Sequence, residues 1–254
     1  MSRRDFVPIR TIVLIGLFAA ICYVSLYFMI PIPSPVGNPF LHMGNMFVIL
    51  ASLLFNGYIG GISGSLGMGL FDLFNGFAVY APKTFILKFG IGLITGKIAY
   101  PKNDEDSRVS PARWIFAASI FFIVVGVILL ITTLARGYVI AIPSVEKPLE
   151  ISPVLYIFSL ILGVLLLIAG VLANRYSVEI QYAIIGAVAG IAFNLAGEFL
   201  FGFGTLLLAG SSFYPAIIAS AISLPATLIN GTFSIIVAVA LYIPLKKALS
   251  KFEF

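Results

Sequence analysis

The strongest constraint on this chain is a series of apolar blocks, each long enough to cross a lipid bilayer. The first runs from about residue 11 to residue 30, and similar blocks recur along the chain. A helix needs about 20 consecutive apolar residues to span the hydrocarbon core. Hydrophobic residues make up 61% of the chain and charged residues 10%, against about 45–50% and 25% in soluble domains. The sequence therefore predicts an all-α, polytopic integral membrane protein.

Breaks in the apolar pattern divide the chain into about eight predicted helices. They lie near 9–30, 46–60, 62–76, 83–100, 113–135, 152–174, 180–201 and 222–246. Glycines and a proline interrupt the apolar stretch 201–220, which predicts an external loop with a short helix there. Small residues recur every four positions within 57–76, a spacing that lets helices pack closely.

The two predicted helices of 113–174 contain almost no internal polar group, unlike the other six. We therefore expect an inserted transmembrane hairpin added to a six-helix functional core. The predicted organisation is 1–100 for core helices 1–4 with an external loop at 31–45, 101–112 for a cytoplasmic loop, 113–174 for the hairpin, and 175–254 for core helices 5–6.

The distribution of basic residues predicts the orientation of the chain. Lys and Arg accumulate in the short cytoplasmic loops of membrane proteins. With the N-terminus inside, only Lys83, Arg136 and Lys147 fall on external positions, and Lys88 lies within a helix. Both termini are therefore expected in the cytoplasm, and the net charge of +5 needs no nucleic acid to explain it.

Motifs for nucleotide, metal or hydrolytic chemistry are missing from the sequence. The run 90–98 looks like a phosphate-binding loop, but Ile91 and Ile98 stand where glycine and Ser or Thr are needed. One cysteine and one histidine are too few for a metal cluster. We therefore expect no cofactor or metal in this chain.

Three ionisable residues, Asp72, Lys88 and Glu198, lie inside predicted spanning helices. A charge at the bilayer centre costs at least about 2.5 kcal/mol, so such residues are functional candidates. At about 1.5 Å of rise per residue, Lys88 lies roughly 8 Å from the external end of its predicted helix, and the two carboxylates lie within about 6 Å of theirs. All three are expected in the outer half of the membrane.

Uncharged polar residues extend this group. Positions i and i+4 share a helix face, which places Thr84 with Lys88 and Asn194 with Glu198. Two more asparagines lie near the external ends of predicted helices, namely Asn45 and Asn230. Together these side chains predict a polar cavity open to the outside, the usual setting of a transporter's binding site.

Structural interpretations of the same residues stay open. Asp72, Lys88 and Glu198 could simply neutralise one another and hold helices in register. Asn45 could cap its helix. His42 is interpreted as an ordinary residue of a proline-rich loop, because a lone histidine binds no metal.

Several stretches resemble the substrate-binding S components of energy-coupling factor (ECF) transporters. They are HMGN at 42–45, LLFNGYIGG at 53–61, GMGLFD at 67–72, YAPKTFILK at 80–88 and LPATLINGT at 224–232. The likeness covers about 9–100 and 180–248, and the hairpin 113–174 is additional to the six-helix pattern.

The resemblance implies a subunit that captures a vitamin or related micronutrient outside a prokaryotic cell membrane. It further implies delivery inward on a separate transmembrane coupling subunit driven by two ATPase subunits, which use the ATP. The implied substrate-binding residues are Asn45, Tyr80, Lys83, Thr84, Lys88, Asn194, Glu198 and Asn230. The family docks its coupling subunit through an Ala-x-x-x-Ala pattern on the first helix, and here Gly16 and Ala20 are the corresponding residues, with Val24 beyond.

Two other classes of function are weighed against this interpretation. The chain could be an intramembrane enzyme in which Glu198 or Asp72 is a general base, with Lys88 as its partner. It could also be a structural membrane subunit whose charges only hold helices together.

Overall fold

The computed structural model describes residues 9–31, 40–100, 110–137, 139–140, 149–150 and 153–251. Within these ranges the chain forms eight α-helices, which confirms the predicted number and the all-α class. It divides into two compact units, one made of Met1–Lys102 and Tyr182–Phe254, the other of Asn103–Gln181.

The helices and strands follow one another in a simple order. The helices are α1 (Ile9–Ser25), α2 (Gly44–Leu54), α3 (Gly57–Phe74), α4 (Ala81–Ala99), α5 (Pro111–Arg136), α6 (Pro153–Ala173), α7 (Val178–Leu208) and α8 (Phe213–Leu249). Two antiparallel strand pairs accompany them, β1 (Ile30–Pro31) with β2 (Phe40–Leu41) and β3 (Val139–Ile140) with β4 (Leu149–Glu150). Short 3₁₀ turns follow α1 at Leu26–Phe28 and precede α4 at Ala78–Tyr80.

Five helical segments of the described chain are long and apolar enough to cross a membrane. They are Ile9–Phe28, Ala78–Ala99, Pro111–Ala135, Val178–Leu208 and Phe213–Leu249. Gly44–Leu54 and Ser159–Ala173 are shorter apolar helices. The polytopic membrane class predicted from the apolar blocks is therefore confirmed.

The predicted external loop at 201–220 is wrong, because α7 continues to Leu208 and α8 begins at Phe213. Glycines in a spanning helix keep the backbone hydrogen bonds that lipid cannot replace, which outweighs their low helix propensity. Pro215 lies in the first turn of α8, where its missing N–H would have no helical partner in any case. Glu198 consequently lies about 15 Å along the helix from the end of α7, instead of within about 6 Å.

The helix α2 has 11 residues, which at about 1.5 Å per residue covers only about half of a 30 Å hydrocarbon core. Asn56 begins the next helix, since its Oδ1 accepts hydrogen bonds from the N–H groups of Tyr58 (3.0 Å) and Ile59 (2.9 Å). The strand β2 lies against α8, and its residue Phe40 lines the same cavity as Lys88.

Glycines let helices of the first unit touch through their backbones. A Cβ placed on Gly92 would lie 2.2 Å from the amide nitrogen of Gly61, and one on Gly96 would lie 2.2 Å from that of Gly57. On the facing helix, a Cβ on Gly190 would lie 2.8 Å from the carbonyl oxygen of Ile91. Close approach of this kind stabilises helix pairs where the hydrophobic effect contributes little. The C-terminal half of α4 is thereby fixed against α3 and α7.

The second unit contains α5 and α6, packed against each other over the range predicted as a hairpin. Ser119 donates a hydrogen bond to the carbonyl oxygen of Gly163 (2.9 Å), and Ser159 donates one to that of Phe122 (2.8 Å). The side-chain oxygen of Gln181 accepts from the hydroxyl of Ser110 (2.7 Å). These bonds satisfy the few polar side chains of an otherwise apolar pair.

Candidate substrate-binding site

The first unit encloses a cavity of about 420 Å³, within the range of about 300–1,000 Å³ found for small-molecule sites. Its apolar lining consists of Leu26, Phe40, Met68, Phe77 and Ala226. Its polar lining consists of His42, Asp72, Tyr80, Lys83, Thr84, Lys88, Glu198, Ser223 and Thr227. The cavity therefore combines an aromatic wall with an unusually dense set of hydrogen-bonding groups.

The helices α4 and α7 bring two of the polar groups together. Lys83 and Glu198 form an ion pair with an Nζ–Oε2 distance of 2.6 Å. One turn further into α4, the Nζ of Lys88 donates to the Oδ1 of Asn194 at 2.9 Å. The helices run antiparallel, so residues five apart on α4 meet residues four apart on α7. The two helices thus present two successive polar pairs to each other.

The carboxylate of Asp72 comes from the last turn of α3. Its Oδ2 accepts a hydrogen bond from the hydroxyl of Thr84 at 2.5 Å. The structure therefore pairs the charges differently from the structural interpretation of the sequence: Glu198 pairs with Lys83 rather than with Lys88. Spacing along single helices could not have revealed this, because it does not fix the register between helices.

Lys88 is the most deeply buried cation of the cavity, with 5% of its side chain exposed. Its hydrogen bond within the described residues goes to an uncharged amide, so no carboxylate holds it directly. An ammonium in an apolar surrounding needs more than one good partner to offset its lost hydration. Its two remaining N–H groups suit acceptor atoms of a bound molecule.

Aromatic rings form another part of the cavity lining. The rings of Phe40 and Phe77 lie 6.0 Å apart at an angle of 50°, and Phe71 stacks on Phe77 from behind. Tyr80 packs its ring under the Lys83 ammonium, 5.1 Å from the ring centroid. Rings in these positions can bind the face of a planar molecule.

The predicted site residues fall into two groups. Five of them line the cavity: Tyr80, Lys83, Thr84, Lys88 and Glu198. Asn194 lies behind it and holds Lys88, and Asn230 donates to the carbonyl oxygen of Phe40 at 3.3 Å. Asn45 is buried as the second residue of α2, and it does not cap that helix, whose N-cap is Met43.

His42 lies in the cavity wall, although the sequence pattern indicated an ordinary loop residue. Its Nδ1 accepts a hydrogen bond from the N–H of Gly44, the first residue of α2, at 3.2 Å. Burial, assisted by the nearby positive charge of Lys88, lowers the pKa of the imidazole to about 3. His42 belongs to the connection between α1 and α2 and is neutral at physiological pH.

Other cavity residues also escaped sequence reasoning. Phe77 belongs to the turn after α3, which Gly76 makes possible with a φ of +89°. Ser223 and Thr227 lie one turn apart on α8, a spacing that the sequence shows but that is too common to single out.

The predicted coupling contact lies on the outer face of α1. Gly16 and Ala20 are both exposed, and a Cβ on Gly16 would meet nothing within 4 Å. Beside Ala20, an apolar groove is lined by Leu17, Ile21, Val24, Phe28 and Phe47, among others. This face of α1 is thus available to a partner or to lipid.

A cavity with converging polar groups between spanning helices is typical of membrane transport proteins. The family model of the ECF-type riboflavin transporter S component matches residues 7–149, more than half of the chain. The chain therefore belongs to this family, the substrate-binding subunits of vitamin transporters, and is a transporter component rather than an enzyme. No curated protein and no solved structure matches it.

The family match contains part of the cavity. It includes Lys83, Thr84 and Lys88 of α4, whereas Asn194 and Glu198 of α7 lie beyond it. The resemblance predicted from the sequence motifs is confirmed at the level of the family.

Proposed function

We propose that this chain binds riboflavin in the cavity of the first unit and takes part in its uptake. The observation that carries the proposal is that one cavity is lined both by the aromatic rings of Phe40 and Phe77 and by the polar side chains of Lys88, Asp72 and Thr84. Riboflavin combines the same two kinds of surface. Its isoalloxazine ring is flat and apolar on its faces, with carbonyl oxygens and nitrogens at its edge, and its ribityl chain carries hydroxyls.

The charges of the cavity support an uncharged substrate. Two cations, Lys83 and Lys88, face two carboxylates, Asp72 and Glu198, so the formal charges of the lining balance. A net charge on the substrate would leave one charge uncompensated in a low-dielectric surrounding, which is costly. Riboflavin is neutral near pH 7, whereas its phosphorylated form is an anion.

The polar groups also suit the substrate in detail. The free N–H groups of Lys88 can donate to ring acceptors, and the second oxygen of Asp72 can accept from a ribityl hydroxyl. Because the cavity is lined from α3, α4, α7 and α8, binding would couple these helices to one another.

We further propose that uptake requires a transmembrane coupling subunit and two ATPase subunits, which hydrolyse ATP. The exposed small residues Gly16 and Ala20 on α1 support a docking face for the coupling subunit, since small residues let helices approach closely. The basic residues support a placement in the prokaryotic cytoplasmic membrane with both termini inside.

Titration of the purified chain in lipid nanodiscs tests the binding step, with the quenching of riboflavin fluorescence as the signal. We expect saturable binding of riboflavin that competing riboflavin analogues reverse. The phosphorylated form should bind with lower affinity. Binding of a zwitterionic vitamin and not of riboflavin would replace the substrate but keep the class. Failure to bind any vitamin-sized molecule would support the structural-subunit hypothesis instead.

A second experiment tests the coupling. Co-expression with the coupling module should allow copurification, and Ala20→Leu on α1 should reduce it without changing riboflavin binding. Ala192→Leu, the same change at an exposed position of α7, provides a control for a general effect of surface substitutions. Equal copurification of Ala20→Leu and the unchanged chain would move the docking face elsewhere.

A further inference from the structure

The cavity wall contains the single histidine of the chain, and its chemistry is fixed by the backbone beside it. His42 follows β2 and precedes α2, with 8% of the residue exposed. Its ring packs against Phe40 at a centroid distance of 5.7 Å. The imidazole is therefore held in one position at the edge of the cavity.

The hydrogen bond from Gly44 selects one tautomer of this imidazole. Because the backbone N–H donates to Nδ1 (3.2 Å), that nitrogen carries a lone pair and no hydrogen. A neutral imidazole has its hydrogen on the other nitrogen in that case, so Nε2 is a donor.

The hydrogen bond that the described residues make to the imidazole of His42 involves Nδ1. Its Nε2–H group has no acceptor among those residues. Nε2 is not one of the fully buried side-chain atoms without a partner in the described part of the chain, so it reaches the open space of the cavity, where an acceptor atom of a bound molecule can pair with it. The charged groups that line the same cavity are Asp72, Lys83, Lys88 and Glu198. Lys88 disfavours protonation of the imidazole by lowering its pKa, while the carboxylates are engaged with Thr84 and Lys83.

We infer that His42 is a substrate-binding residue, whose Nε2–H donates a hydrogen bond to an acceptor atom at the edge of the bound ring. The inference rests on the proposed function and deepens it. It assigns the substrate class as planar heterocycles that present a carbonyl oxygen or an unprotonated ring nitrogen toward β2. A ring that has only hydrogen-bond donors at that edge would place a donor against the Nε2–H of His42. No hydrogen bond could then form, so such a ring should bind weakly.

The single histidine permits a direct measurement on the unaltered sequence. The full chain is labelled with ¹⁵N-histidine, purified with a histidine-free tag, and placed in nanodiscs. We expect an unprotonated Nδ1 and a protonated Nε2 before riboflavin is added. Saturation with riboflavin should shift the Nε2 resonance and leave Nδ1 nearly unchanged. The opposite tautomer, or an Nε2 resonance that does not respond to bound riboflavin, would overturn the inference.

Two substitutions test the same group by affinity. His42→Gln can place an amide N–H near the position of Nε2, whereas His42→Asn can keep an acceptor for the Gly44 N–H but lacks the distal donor. We expect His42→Gln to bind riboflavin within about 3-fold of the wild type and His42→Asn to bind about 10-fold more weakly or worse. Equal affinities, equal losses, or a loss confined to His42→Gln would each contradict the assignment.

An error in the proposed function and an error in the role of His42 would give different results. If the wild-type chain binds no riboflavin, the proposed function is wrong, whatever the variants do. If it binds riboflavin and the Nε2 resonance stays unchanged, the proposed function stands and the role of His42 falls. A His42→Asn protein that does not fold leaves the decision to the resonance measurement.

Discussion

Replacing Lys88 with methionine is the most informative single change in the cavity. The substitution keeps most of the side-chain volume and removes the ammonium. In the structure the residue is 5% exposed, and its ammonium donates to Asn194 at 2.9 Å. If riboflavin accepts one further hydrogen bond from it, the lost interaction is one to a charged donor, worth about 1.5–3 kcal/mol. The dissociation constant should therefore rise about 10- to 150-fold.

The effect on stability should be much smaller than the effect on binding. Methionine removes a buried charge, which favours the folded state, and leaves the Oδ1 of Asn194 without its donor, which disfavours it. These contributions oppose each other, so we expect a melting temperature close to that of the wild type. A drop in affinity would then report a lost contact rather than a lost fold.

The assay is the riboflavin titration in nanodiscs, with thermal unfolding followed on the same samples. Lys97→Met provides a matched control, because it makes the same change on the same helix at an exposed position outside the cavity. The control should bind as the wild type does. Affinity of Lys88→Met within 2-fold of the wild type would refute the role assigned to this lysine.

Three further predictions follow from the same geometry. Glu198→Gln breaks an ion pair whose side chains are each 23% exposed, so it should lower the free energy of unfolding by no more than about 1 kcal/mol. A double-mutant cycle with Lys83→Met would measure the coupling energy between the two side chains. Gly92→Ala should destabilise the chain by about 1–3 kcal/mol, because its Cβ would lie 2.2 Å from a backbone nitrogen. Gly16→Ala, whose Cβ would meet nothing within 4 Å, should leave the melting temperature unchanged or raise it slightly, because alanine favours an exposed helix position over glycine. Because the pKa of His42 is lowered to about 3, its ¹⁵N resonances should not titrate between about pH 5 and 8. The unfolded chain takes up that proton near pH 6.5, so the contribution of His42 to stability should decline as the pH falls from about 6.5 toward 3, and a titration midpoint near 6.5 in the folded protein would contradict this.

The membrane class and much of the helical layout could be predicted because lipid imposes a simple length rule on apolar segments. The prediction was wrong at 201–220, where glycines and Pro215 were read as helix breakers and indicated a loop. In water those residues would weaken a helix, but here α7 and α8 run through most of this stretch. Composition thus predicted the presence of helices better than their ends.

The polar site was predictable only in part, for a geometric reason. Residues four apart on one helix share a face, which correctly grouped Thr84 with Lys88. The partner of each residue depends on how neighbouring helices are aligned, and the pairing of Lys83 with Glu198 was not visible in the sequence. Phe77 and His42 belong to connections without periodicity, so no regular pattern marked them.

The segment that leads into the short helix α2 has a consequence for how selectivity could be altered. It places Phe40 of β2 and His42 in the cavity wall, so this part of the wall does not come from a spanning helix. Exchanging residues at Phe40 and His42 changes no apolar segment that must cross the bilayer. New ligand preferences could therefore be engineered, or could have evolved, at these two positions while the insertion of the helices into the membrane stayed the same.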